Sequence, residues 1–129
     1  MAAPESARNV PATRHQAGAM PRSGTVAGDL PGEVSVDAVR AAVLADARAA
    51  WKLGTGDDLR VTVEPVTWSD GSLGCPVPGV MVTQALVPGW RLIVSDGTRE
   101  LAYHASRRGS WVQCPAGRAR APLPGSSAR

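Results

Sequence analysis

The 129-residue sequence contains no phenylalanine, one tyrosine and two cysteines. It also has no apolar run near the roughly 20 residues that a membrane-spanning helix requires. No apolar stretch of about 7–15 residues follows a basic start, so no secretory leader is read and the literal expectation is a cytosolic chain. There is no close C-x-x-C or H-x-x-H spacing of the kind that marks a zinc site. The glycines at 71, 74, 79, 89 and 97 stand where turns are expected and do not form a phosphate-binding loop. Basic residues are not clustered on a foldable stretch. The first 33 residues carry three basic and three acidic side chains, residues 34–114 carry eight of each, and the formal +3 sits on Arg118, Arg120 and Arg129. Nucleic-acid binding needs a basic folded face, so it is not expected.

What is present points to one small domain. Residues 1–33 are rich in Ala, Pro, Gly, Ser and Arg without periodicity. They bury too little to offset ordering entropy and are expected to be disordered, as is the basic tail 115–129. The remaining 34–114 is read as an α+β domain. Ser35 is a good N-cap for a helix running to about Leu53, with Val36, Val39, Val43, Ala47, Ala50 and Trp51 on one apolar face and Gly54 as the left-handed residue after it. The period then falls to two. Strands are expected from Leu59 to about Trp68, over Val80–Val87, over Trp90–Ser95, over Arg99–Ser106 and over Ser110–Cys114, with turns at Pro88-Gly89, Asp96-Gly97 (type I′) and Arg107–Gly109. One N-terminal helix packed on a four- to five-stranded antiparallel sheet is the predicted fold, with four tryptophans supplying much of the core volume.

Cys75 lies in a turn-rich loop and Cys114 closes the last strand. A core this small benefits from a staple, and a single bridge between the two is the favoured reading. It argues for a periplasmic or secreted location, because disulfides persist in oxidising compartments. The rival reading is a metal- or haem-binding protein using Cys75, His104 and Cys114, with Met81 as a further soft ligand and Cys-Pro as a weak haem-site dipeptide. A pair of reduced, buried thiols is the third. His104, the one histidine within the domain, is expected on a strand, facing opposite to Tyr103. Asp70 and Asp96 occupy turn positions, where the side chain satisfies local backbone amides. No catalytic residues, cofactor or resident metal are expected.

The stretch W-S-D-G-S-L-G-C-P-V-P-G from Trp68, followed by T-Q-A-L-V-P-G-W, L-A-Y-H and a closing Cys, resembles an uncharacterised family of small bacterial proteins, many of which look secreted or lipid-anchored. The resemblance implies that the two cysteines belong together and that the protein is exported; it carries no activity. The loop 69–79 is long and rich in Pro and Gly. Tethered by a disulfide, it would be pre-organised for a partner. The expected function is therefore a non-catalytic, extracytoplasmic binding or accessory module, monomeric, with a protein partner of unknown identity. Trp68, Asp70, Leu73, Pro76, Pro78, Gln84, Pro88 and Trp90 are its candidate contact residues. A helix on a sheet with a Pro-Gly-Trp turn also shares the general plan of cystatin-like inhibitors, which makes protease inhibition one form of this expectation.

Overall fold

The computed structural model describes residues 22–26, 33–54 and 58–124. Helix α1 spans Val36–Trp51. The strands are β1 (Ser23–Thr25), β2 (Arg60–Trp68), β3 (Val87–Ser95), β4 (Glu100–Ser106) and β5 (Ser110–Gln113), joined in one antiparallel sheet of order β1-β5-β4-β3-β2. The α+β prediction holds, with one helix against a five-stranded sheet and one disulfide.

The helix begins where expected. Ser35 stays extended and its hydroxyl accepts from the Ala38 amide at 3.1 Å, while Asp37 faces the positive end of the dipole. It ends earlier than expected. Lys52, not Gly54, adopts the left-handed conformation (φ 57°), and its amide turns back to the carbonyls of the last turn. Val39, Val43 and Ala47 are buried against Trp90, Leu92, Val94, Tyr103 and Ala105 on the front of the sheet. Ala50, expected on the same stripe, is exposed.

The fifth strand is not the one predicted. Residues 80–86 form no strand, because the place beside β2 is filled from residue 87 onward in continuous register, from Trp68↔Val87 to Arg60↔Ser95. The same register removes the turn expected at Pro88-Gly89, since both residues pair inside β3. Pro88 is tolerated there because the β3–β4 ladder begins only at Gly89↔Ser106, so its missing N–H breaks no bond. The strand that completes the sheet comes instead from the segment expected to be disordered. β1 pairs with β5, and Arg22 grips Asp46 of the helix through three hydrogen bonds of 2.8–3.1 Å. Asp46 also accepts from the Tyr103 hydroxyl. Desolvation would raise the Asp46 pKa, but these donors outweigh it and hold the carboxyl below its usual range. Residues 1–21, also part of the segment expected to be disordered, lie outside the described residues.

The β3–β4 hairpin differs from its prediction in its centre. Gly97 (φ 97°) and Thr98 occupy the turn, and Asp96 precedes it instead of forming its first residue. Asp96 accepts from the Thr98 and Arg99 amides and the Arg99 guanidinium, which pulls its carboxyl down to about 2. Gly109 (φ 102°) closes the β4–β5 turn as read from the sequence.

Candidate functional site

The rear face of the sheet carries a second, smaller core, and the signature motif builds it. Even-numbered positions of β2 point there: Val66 and Trp68, both buried, pack with Leu73, Val87 and Val112. Trp68 is fully enclosed and its indole N–H donates to the Ala105 carbonyl at 3.0 Å. That carbonyl occupies the space a Cβ on residue 89 would need, 1.9 Å away, so glycine at 89 is what lets the indole reach it.

The chain from Trp68 to Cys75 then folds back over this tryptophan. Asp70 accepts from the Ser72 amide and hydroxyl at 2.9 and 2.6 Å, forming an Asx turn that holds its carboxyl below the usual range. Leu73 and Gly74 both take positive φ, 57° and 72°. For leucine this conformation costs about 1–2 kcal/mol, which the buried side chain offsets. Gly74 lies flat under the Trp68 ring, where a Cβ would come within 2.6 Å. Cys75 then bonds Cys114 with Cα atoms 5.7 Å apart. The tail expected to be disordered is tied to the same spot. The Arg120 amide donates to Gly74 and the Leu123 amide to Thr67. Residues 125–129 lie outside the described residues.

His104 is the centre of this clasp. Its ring stacks on Trp68 at a centroid distance of 4.4 Å, and its Nδ1 lies 2.6 Å from the Leu73 carbonyl. A carbonyl only accepts, so Nδ1 carries the proton. Burial holds the pKa below the ordinary imidazole range. The Leu73 hydrogen bond opposes that, and the Arg91 charge on the neighbouring strand adds to it. The unfolded chain therefore binds this proton more readily than the folded one. Stability is complete above the unfolded value of about 6.5 and is lost as pH falls through the lower folded value. Denaturant unfolding at pH 7.5 and pH 5 is expected to show the loss, at no more than about 1.4 kcal/mol per pH unit. A His104→Gln protein should be less stable at pH 7.5 yet lack this dependence.

The disulfide also decides the metal and haem reading. Both sulfurs are bonded to each other, and the His104 nitrogen facing the loop is committed to a backbone carbonyl, so Cys75, His104 and Cys114 offer no ligand set. Met81 is far from this role, lying almost fully exposed.

The candidate contact residues divide in two. Trp68, Leu73 and Trp90 are buried and belong to the two cores, Trp90 with Arg107 over its ring at 5.3 Å. Asp70 is spent on its own turn. Pro76 is half-buried, whereas Pro78, Gln84 and Pro88 are exposed. The accessible surface lies further along the chain than the motif suggested. Val80, Met81 and Leu86 are exposed by 53%, 93% and 62%. The segment bearing them is anchored near its middle, where the Gly71 amide donates to Thr83 at 2.8 Å. Beside it is an open cleft of about 920 Å³, whose lining includes Leu86, Val87 and Pro88 together with Glu33, Arg107 and Arg108. Sequence reading placed Val80 and Leu86 in a strand, because V-M-V-T-Q-A-L-V looks like one, and read Arg107–Gly109 as a turn without a contact role. The signal available was that this run lacks strict alternation.

A protein-family model described as a domain of unknown function (DUF8738) matches residues 36–114, from the first helical residue to the second cysteine. No curated protein and no solved structure matches the chain.

Proposed function

The chain belongs to this family of domains of unknown function, and we propose that it is a non-catalytic binding module of an extracytoplasmic compartment. It presents the 78–88 segment to a protein partner. The observation that carries the reading is the row of exposed apolar side chains, Val80, Met81 and Leu86, on a backbone held at its ends by the Cys75 bridge and by β3. Exposed apolar clusters beside a cleft are what association surfaces offer, and methionine adapts to an irregular partner. Tethering lowers the entropy lost when such a segment binds. Arg107 and Arg108, which line the same cleft, would favour an acidic group on the partner. The disulfide supports the compartment, since a reducing cytosol would keep the two thiols apart. The inhibitor-like form of this reading needed a Pro88-Gly89 turn as a second presented loop, and residues 88 and 89 are paired within a strand.

Site-specific photo-crosslinking tests the proposal. A crosslinker at Met81 should capture a discrete partner in the source cells, and Leu86→Asp should abolish the capture. A crosslinker at the exposed helix position Asp37 should give none. Equal capture from Asp37, or capture indifferent to Leu86→Asp, would contradict it.

A further inference from the structure

One edge of the sheet is open among the described residues. β2 pairs with β3 along its inner side, and the tail reaches its outer side only at Thr67. Because the Thr67 carbonyl points outward and the β2–β3 register contains no bulge, the outward-pointing backbone groups belong to Val61, Val63, Pro65 and Thr67. Helix α1 packs chiefly over β3 and β4, so Val61 and Val63 lie at the border of the front core, half-buried.

From this edge we infer that β2 pairs with β2 of a second copy of the chain across a two-fold axis, joining two sheets into one. The occupant is chosen by charge. In the antiparallel register centred on Thr62, Arg60 of each copy stands opposite Glu64 of the other, so the pair forms twice. In the same register Val61 stands opposite Val63, and both have outward amides and carbonyls, so they exchange four hydrogen bonds. Pro65 falls outside that centre, opposite Leu59, where its carbonyl can accept and its missing N–H forfeits one bond at the end of the ladder. The registers centred on Val61 or Val63 lose the Arg60–Glu64 pairs, setting Arg60 against Thr62 in the first and Thr62 against Glu64 in the second. Those centred on Glu64 or Arg60 put Glu64 against Glu64 or Arg60 against Arg60. Like charges directly opposite are destabilising. Glu64 is equipped for the contact: both hydrogen bonds from Arg91, at 3.0 and 2.6 Å, end on Oε1, and Oε2 takes neither. On the front face Val61 and Val63 of the two copies would cover one another. The sequence led us to expect a monomer; the open edge with self-complementary charge is the reason to depart from that.

Sedimentation velocity of the full chain over micromolar to millimolar concentration, with Thr62→Cys cross-linking, tests the inference. Thr62 faces itself at the axis in a non-hydrogen-bonded pair, with Cα atoms about 4.5 Å apart. Mild oxidation should therefore convert Thr62→Cys to a covalent dimer, while Glu100→Cys, at the far end of the β3–β4 hairpin, should stay monomeric. Val63→Pro removes an outward amide without touching the β2–β3 ladder, and Arg60→Glu places like charges opposite twice. Each should raise the dimer dissociation constant by about tenfold or more, with the circular dichroism of the monomer unchanged. A chain that remains monomeric at millimolar concentration would overturn the inference. So would a dimer that neither Val63→Pro nor Arg60→Glu weakens, or one in which position 62 fails to cross-link.

Discussion

Trp68→Ala is expected to remove about 3–5 kcal/mol of stability, the usual range for deleting a fully buried tryptophan. Against the roughly 5–15 kcal/mol that holds a small domain folded, that is a large fraction of the total. The loss has three sources in this protein. The rear core loses its largest side chain. The His104 ring loses the surface it stacks on, and the Ala105 carbonyl loses its donor. Gly74 would then lie over a void. Trp68→Phe removes the indole N–H and part of the ring volume but keeps an aromatic face under His104. It should cost less than Trp68→Ala but at least about 1–3 kcal/mol, the penalty of leaving the buried Ala105 carbonyl unsatisfied, with the lost ring volume adding to it. Urea unfolding of the three proteins at pH 7.5 gives the comparison. A Trp68→Ala protein within about 1 kcal/mol of the parent would mean that this residue is not the keystone described above.

The second large effect concerns the bridge. Converting both cysteines to alanine should cost about 3–4 kcal/mol in the chain-entropy account, for a sequence separation of 39. At roughly 4–8 °C per kcal/mol for a domain of this size, the melting temperature should fall by about 12–30 °C. The effect should also have a location. Cys75 is the last residue of the clasp and Cys114 follows the last strand, so the bridge holds the loop and the tail to the rear face together. Without it, the hydrogen bonds from Arg120 to Gly74 and from Leu123 to Thr67 should weaken first. The front core, which contains neither cysteine, should outlast them. Thermal unfolding followed by circular dichroism, with and without reductant, gives the magnitude. A shift below about 5 °C would show the bridge to be incidental.

The front half of this molecule was legible in the sequence because its patterns are local. Ser35, the Val39–Val43–Ala47 stripe and the alternation through Leu92, Val94, Leu101 and Tyr103 each announce their element. The cysteines could be paired from their positions and from the size of the core. The rear half was not legible, because its logic is long-range. Nothing near Pro88-Gly89 shows that β2 will carry its register past them. Nothing near Gly24 shows that a three-residue strand will find β5. The motif W-S-D-G-S-L-G-C was read as a presented loop because Gly, Pro and Asp mark loops of every kind. Only the contacts of Trp68, His104 and Leu73 with one another distinguish a loop that grips its own sheet from one held out to a partner. The same contacts moved the candidate binding surface from residues 69–79 to the neighbouring 78–88.

That division between a clasp and a presented segment is the central claim, and native-state hydrogen exchange tests it most directly. The Trp68 indole N–H and the Gly71 and Cys75 amides donate to Ala105, Thr83 and Ser72. The amides of Met81, Gln84 and Leu86 donate to no other described residue. The account predicts that the first group exchanges more slowly than the second by about 100-fold or more, opening together with the rear core. If the Trp68 indole and the 71–75 amides exchange as fast as those of Met81 and Leu86, the motif is a mobile loop and the clasp does not exist.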